Sequence, residues 1–186
     1  MSTFDHRAFP AARIAAEREQ TVSICLPARD EERTIGPILE QLVSLRELGA
    51  IDQIVVVDRS SDGTAQIARL VGVEVHDQEA LAPELGPVLG KGDAMWRALH
   101  VLWGEVVRFL DADTEDFGAH FAARPLLNLF YPERAAIRQP LAGEVAARHE
   151  LLERLLFVTG YGVDVALLLD AYRCAGLGAL GLRAVA

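Results

Sequence analysis

Two short apolar runs, each closed by an acid, restrict what this chain can fold into. Ile54-Val55-Val56-Val57 carries no polar residue on either side of the pleat, and Asp58 follows it directly. A strand with a wetted face alternates, so one that does not is buried on both faces, as in a parallel sheet covered by helices. Val106-Val107-Arg108-Phe109-Leu110 is of the same kind and ends in Asp111-Ala112-Asp113. In open α/β sheets ligands gather outside the carboxyl ends of the strands. Two acids one residue apart repel each other unless a cation offsets them. Hard oxygen ligands suit Mg²⁺ or Mn²⁺, and phosphate is the natural bridge from such an ion. An acidic turn after a strand is the plainer reading, since Asp is a common turn former, and Asp-x-Asp alone does not decide between them. Arg108 interrupts its run, and a charge there must be paired or reach solvent.

The elements around these runs alternate. Thr21 to Leu26 places Val22, Ile24 and Leu26 on one face and predicts a strand, followed by the polar loop Pro27 to Glu32. Thr34 is the expected N-cap of a helix in which Ile35, Ile38, Leu39, Leu42 and Leu45 recur at helical spacing, with Gly49 as its stop. Ser60 to Thr64 forms a turn that caps a helix over 65–71, closed by Gly72; Val73-Glu74-Val75 is a third strand. Leu81 to Gly90 reads as a loop, and Gly90-Lys91-Gly92 opens a helix that carries Ala94, Met95, Ala98, Leu99 and Leu102. Beyond Asp116 the pattern predicts helices: Leu126 to Phe130, Ala142 to Leu155 and Asp164 to Ala175. The order β-α-β-α-β-loop-α-β is that of an α/β nucleotide-binding half.

Composition narrows the function. A net charge of −9 argues against general nucleic-acid binding, which needs a basic face. The chain has no apolar run of membrane-spanning length, and Met1 to Gln20 lacks the apolar core of a signal peptide. Cys25 and Cys174 make neither a metal-ligand spacing nor a disulfide framework, and Cys25 lies inside an apolar run. A cytoplasmic protein is the simplest expectation.

Pro27 to Glu32, Asp58, Lys91 and Asp111-Ala112-Asp113 therefore fall at strand ends or loop tips of one edge. In this order the chain resembles the GT-A glycosyltransferases, and more closely the glucosyl-3-phosphoglycerate synthase and mannosyl-3-phosphoglycerate synthase family. The stretches that carry the resemblance are Leu26-Pro27-Ala28-Arg29-Asp30-Glu31-Glu32, Gly90-Lys91-Gly92-Asp93-Ala94-Met95-Trp96, Phe109-Leu110-Asp111-Ala112-Asp113, Gln139-Pro140-Leu141-Ala142-Gly143-Glu144 and Gly160-Tyr161-Gly162-Val163-Asp164. Each is weak alone, and their shared order is the signal.

The resemblance implies a GT-A-like, mostly parallel sheet flanked by helices. It implies transfer of glucose or mannose from UDP-glucose or GDP-mannose to 3-phosphoglycerate, with Mg²⁺ or Mn²⁺, and it suggests a homodimer. Pro27, Ala28, Arg29 and Glu31 would line the uridine pocket, Asp58 would lie beside the base or ribose, and Lys91 near the nucleotide. Asp113 would ligate the metal, with Asp111 toward the ribose and Ala112 between them on the nucleotide side. Leu141, Tyr161 and Asp164 would face the reacting sugar and the acceptor. For Asp164 an N-cap of the last helix, and for Tyr161 a cover over the core, are the bland alternatives.

The expected organisation is an N-terminal extension over 1–20, a nucleotide-sugar-binding α/β half over 21–116 and a shortened, helical acceptor-side part over 117–186. Shortening is expected because Phe117 to Ala122 runs almost directly into Ala123-Arg124-Pro125-Leu126, without the family's Gly-Arg-Val-Thr acceptor loop. The family's metal-ligating His is not matched by His6, His76, His100, His120 or His149, each of which is expected on a surface or loop. Donor binding is thus expected to be better kept than acceptor binding, with activity impaired. Three other readings use the same residues. Leu110-Asp111-Ala112-Asp113-Thr114 fits a haloacid-dehalogenase-like phosphatase, with Asp111 as nucleophile, although a full α/β half precedes it. A sugar nucleotidyltransferase would need a Gly-rich phosphate loop after the first strand. A non-catalytic nucleotide-binding remnant would keep the donor edge alone.

Overall fold

The computed structural model describes residues 10–113 and 145–175. Within them a five-stranded sheet has the order β3-β2-β1-β4-β5. β1 (Val22–Ala28), β2 (Gln53–Asp58), β3 (Glu74–Asp77) and β4 (Val106–Phe109) are parallel, and β5 (Val145–Arg148) runs antiparallel on β4. Helices α1 (Ala11–Glu17), α2 (Ile35–Glu47), α3 (Thr64–Leu70), α4 (Lys91–Ala98), α5 (His149–Leu152) and α6 (Val163–Ala175) flank it. β2 is buried along its whole length, as its unbroken apolar run requires. Alternate residues of β1 feed two cores. Ile24 and Leu26 pack with Ile38, Leu39 and Leu42 of α2, while Cys25 packs with Met95 of α4, Phe109 of β4 and Leu167 of α6. Each such aliphatic side chain, fully buried, contributes about 1.5–3 kcal/mol.

The helix stops follow the sequence. Gly49 takes φ +80°, its N–H donates to the Arg46 carbonyl, and Ala50 N–H donates to Leu45, which closes α2 with a left-handed cap. Gly72 repeats the arrangement after α3. Residues 11–17, expected as part of an extension, form α1; its Ile14 is buried, and Ala11 and Ala15 pack against the first core. Arg18, just beyond, donates to both carboxylate oxygens of Asp52 and to the Gly49 and Gln20 carbonyls.

One expectation is corrected. The segment from Ala142 to Leu155 is not one amphipathic helix, because Val145–Arg148 is the edge strand β5. Pairing with β4, with Ala147 turned into the second core, outweighs the local helical preference of Val-Ala-Ala-Arg. Arg108 does not reach solvent; it is fully buried in β4, between β1 and β5. Cys25 is buried, and burial pushes its thiol well above the usual range. Leu141 and the helix expected over Leu126 to Phe130 lie outside the described residues, as do His6 and His120. Among the described residues no helix is long and apolar enough to cross a membrane.

Candidate donor-binding edge

The parallel register sets the site. Ala28 lies opposite Asp58 and Cys25 opposite Phe109, so the carboxyl ends of β1, β2 and β4 share one edge. The sheet order reverses at the β1–β4 boundary, where α/β sheets open a crevice. Both sides of that crevice carry the residues singled out in the sequence.

On the β1–β2 side, two loops are tied to each other by hydroxyl relays. Asp30 N–H donates to Ser60 Oγ (2.8 Å), and the Ser60 hydroxyl donates to Asp58 Oδ1 (2.6 Å). Glu31 N–H donates to Thr64 Oγ1 (2.8 Å), whose hydroxyl donates to Asp62 Oδ1. Asp30 holds a left-handed backbone, φ +58°, and its carboxylate receives the Ser61 N–H (2.8 Å). Asp and Asn tolerate that conformation better than most residues. The relays hold Pro27, Ala28 and Glu31 at the rim beside the buried Asp58, while Arg29 projects into solvent. The Ser60 and Thr64 turn, expected only to cap α3, has this second role.

On the other side, Lys91 is the first residue of α4. Its Nζ lies 2.7 Å from Asp111 Oδ1 and 3.3 Å from Asp164 Oδ2. Burial alone would lower the Lys91 pKa, but the hydrogen bond and charge of Asp111, then of Asp164, outweigh it and hold the ammonium above its ordinary range. Asp111 fares differently. Burial pushes its carboxyl up, Lys91 opposes that, and the charges of Asp113 and Asp164 add to the rise. One ammonium is thus shared by two carboxylates, and its pull on Asp111 does not outweigh burial and the acidic neighbours. Asp164 Oδ1 is buried without a hydrogen-bond partner among the described residues, which is costly unless a ligand completes it. Asp164 lies in the first turn of α6 and reaches across to α4, so the N-cap reading does not hold.

Glycines make this contact possible. Gly90 has φ +101° and ψ −158°, a conformation essentially confined to glycine. A Cβ on Gly92 would overlap the Val158 carbonyl and crowd Val163, so only glycine lets α4 approach the start of α6. Gly160–Gly162 form a 3₁₀ turn there, with Tyr161 at its centre.

Sequence reasoning missed the support beneath Lys91. Arg97 is fully buried, donates to Asp93 Oδ2 (2.8 Å), and also donates to the carbonyls of Leu81, Ala82 and Gly86. Asp93 Oδ2 further receives the Gln78 amide at 3.0 Å. The loop that precedes Lys91 is thus pinned to the helix that carries it. The available signal was Asp93 and Arg97 at i, i+4 on an otherwise apolar face.

Asp113 is exposed; burial raises the Glu31 carboxyl, the nearby Thr34 hydroxyl opposes that, and the charge of Asp113 adds to the rise. Among the described residues no three His, Cys, Asp or Glu side chains gather as a closed metal cage. Mg²⁺ and Mn²⁺ do not need one, because they take one or two carboxylates and complete their shell with substrate phosphates and water. Asp111, with Asp113 exposed at the crevice mouth, fits that donor set. Ala112 is only 3% exposed and packs in the first core, so its backbone is what it can offer a nucleotide.

The doubly wound sheet and the acid-ended strands of this edge are those expected of a GT-A glycosyltransferase, and the solved structures that superpose on the chain bear that out. Residues 23–136 match the family described as Glycosyl transferase family 2. The chain is 33% identical to glucosyl-3-phosphoglycerate synthase of Mycolicibacterium smegmatis, an alignment that takes in 91% of this chain and 72% of that protein. It superposes with a TM-score of 0.83 on mannosyl-3-phosphoglycerate synthase from Rubrobacter xylanophilus, at 37% identity over 98% of this chain and 72% of the other. It does so equally, TM-score 0.83, on glucosyl-3-phosphoglycerate synthase from Mycobacterium tuberculosis in complex with Mn²⁺, UDP and glucosyl-3-phosphoglycerate, at 32% identity over 98% of this chain and 77% of the other. The chain spans 62–72% of the length of the curated glucosyl-3-phosphoglycerate synthases it matches. It belongs to glycosyl transferase family 2 and, within it, to the glucosyl-3-phosphoglycerate and mannosyl-3-phosphoglycerate synthase group. The phosphatase and nucleotidyltransferase readings of the same acids give way to that membership.

Proposed function

We propose that this chain transfers glucose from UDP-glucose to 3-phosphoglycerate with a divalent metal, Mn²⁺ or Mg²⁺, bound at Asp113. The observation that carries the reading is Lys91 bridging Asp111 and Asp164 at the carboxyl end of β4. The relatives' structures with Mn²⁺, UDP and phosphoglyceric acid support the choice of ligands. The linked loops at Pro27, Ala28, Arg29, Glu31 and Asp58 hold the uridine, and Asp111 and the Ala112 backbone face the ribose. When bound, the metal neutralises charge that grows on the departing diphosphate. Lys91 adds a second positive charge on the same side, fixed before the reaction begins. Asp164 Oδ1, without a partner among the described residues, accepts a hydrogen bond from the sugar, which orients the anomeric carbon toward the acceptor; Tyr161 and Leu141 keep the sugar- and acceptor-facing roles that the family resemblance implies. Mannose from GDP-mannose is the second donor to test, since a mannosyl-3-phosphoglycerate synthase is equally similar. A cytoplasmic homodimer that binds neither nucleic acid nor membrane is the setting we infer.

The test is a transfer assay with UDP-glucose and GDP-mannose, 3-phosphoglycerate and each metal in turn. Formation of glucosyl-3-phosphoglycerate only with metal is the expected result. Metal-dependent donor binding without transfer would instead support the nucleotide-binding remnant. No metal-dependent binding of either donor would overturn the site.

A further inference from the structure

Thr34 does not do what its position predicts. It precedes α2, where a threonine normally accepts an N–H from the first turn, yet it makes no side-chain cap and its backbone is already helical, φ −112° and ψ −32°. Its hydroxyl instead reaches 78 residues along the chain and donates to the Ala112 carbonyl at 2.7 Å. Glu31 Oε2 (3.2 Å) and the Glu31 carbonyl (3.4 Å) are the other acceptors within range. A hydroxyl has one hydrogen, and only the Ala112 distance is that of a strong O–H···O bond. Ala112 is the residue between Asp111 and Asp113, and its methyl is packed in the core. Beyond the ion pair of Asp111 with Lys91, the acid turn is therefore held by two contacts at Ala112, its buried methyl and the Thr34 hydroxyl. The second of these comes from the loop that carries Glu31.

We propose that Thr34 is a positioning residue that sets the Asp111-Ala112-Asp113 turn relative to the uridine-side loop, so that nucleotide and metal carboxylate are aligned before either ligand binds. The inference rests on the donor-site reading above. A residue that only stabilised the fold would affect nucleotide affinity with and without metal alike. A residue that aligns the two halves affects chiefly the gain that metal brings.

The test is calorimetric titration of UDP with and without Mn²⁺ on the parent, Thr34→Val and Thr34→Ser proteins. For Thr34→Val we expect metal-free UDP affinity within about twofold of the parent and a loss of roughly tenfold in the Mn²⁺-dependent gain, the scale of one hydrogen bond. Thr34→Ser, which keeps the hydroxyl, restores the gain. A Thr34→Val protein with the parent's full metal gain, an equal loss with and without metal, or failure of serine to restore would each overturn the proposal. Hydrogen exchange across 109–113 in the ligand-free proteins reads the anchor independently: faster in Thr34→Val and as in the parent in Thr34→Ser. If the parent shows no Mn²⁺-dependent gain, the donor-site reading fails, and the exchange result alone then decides whether Thr34 holds the turn.

Discussion

Helix α4 carries two cation–carboxylate clusters less than two turns apart, and they are built on opposite principles. Arg97 and Asp93 are sealed in the core, and the guanidinium donates to one carboxylate and three carbonyls. Lys91 is shared between Asp111 and Asp164 at the crevice, Asp164 Oδ1 has no partner among the described residues, and the Asp111 carboxyl is pushed up by burial and by its acidic neighbours. A buried polar network that is fully satisfied rigidifies a fold, whereas one left short is poised for a ligand. The first cluster therefore serves as scaffold and the second is the proposed site, although both are made from one base and nearby acids.

Breaking the two clusters should separate stability from activity. Arg97→Met has the largest expected effect: it strands Asp93 and frees three carbonyls, so the protein loses roughly 3–5 kcal/mol in denaturant unfolding. Next, Lys91→Met lowers transfer by about 10²–10³-fold, equivalent to roughly 2.7–4 kcal/mol of transition-state stabilisation, while its unfolding midpoint moves far less than that of Arg97→Met. Equal stability losses in the two variants would erase the distinction. Gly92→Ala forces α4 away from Val158 and Val163; an overpacking cost of about 1–3 kcal/mol is expected, with a loss of transfer because Lys91 and Asp164 move apart.

The smallest effect is the sharpest comparison. Folding raises the Asp111 pKa, so its ionisation costs stability once pH rises above the unfolded-chain value. Asp111→Asn should therefore melt no lower than the parent at neutral pH, and any gain should vanish below about pH 4, where the unfolded carboxyl is also protonated. Asp52 behaves in the opposite sense. The hydrogen bond from Arg18 holds its carboxyl below the usual range, so Asp52→Asn lowers the melting temperature at pH 7, with a deficit that shrinks as pH falls through the folded pKa. Thermal melts of the two variants from pH 3 to 8 would check both signs.

Much of this was legible in the chain. Ile54 to Val57 disclosed a doubly buried strand because its burial is set by local composition, and Gly49 and Gly72 disclosed helix stops because only left-handed backbone ends a helix that way. The acids at Asp58, Asp111 and Asp113 and the lysine at Lys91 were legible as one edge because parallel strands deliver their carboxyl ends together. β5 was not legible, since Val145 to Arg148 becomes a strand only by pairing with β4. Nor was the work of Arg97 and Thr34, because each is defined by carbonyls distant in sequence, and local rules assign Thr34 to a cap it does not make.

The claim that this edge is a metal–nucleotide-sugar site is tested most directly by measuring UDP affinity with and without Mn²⁺ in the parent and in Asp113→Ala. The account predicts a clear Mn²⁺-dependent gain in the parent and none in Asp113→Ala, with metal-free affinity the same in both. A parent without the gain, or an Asp113→Ala protein that keeps it, would contradict the account.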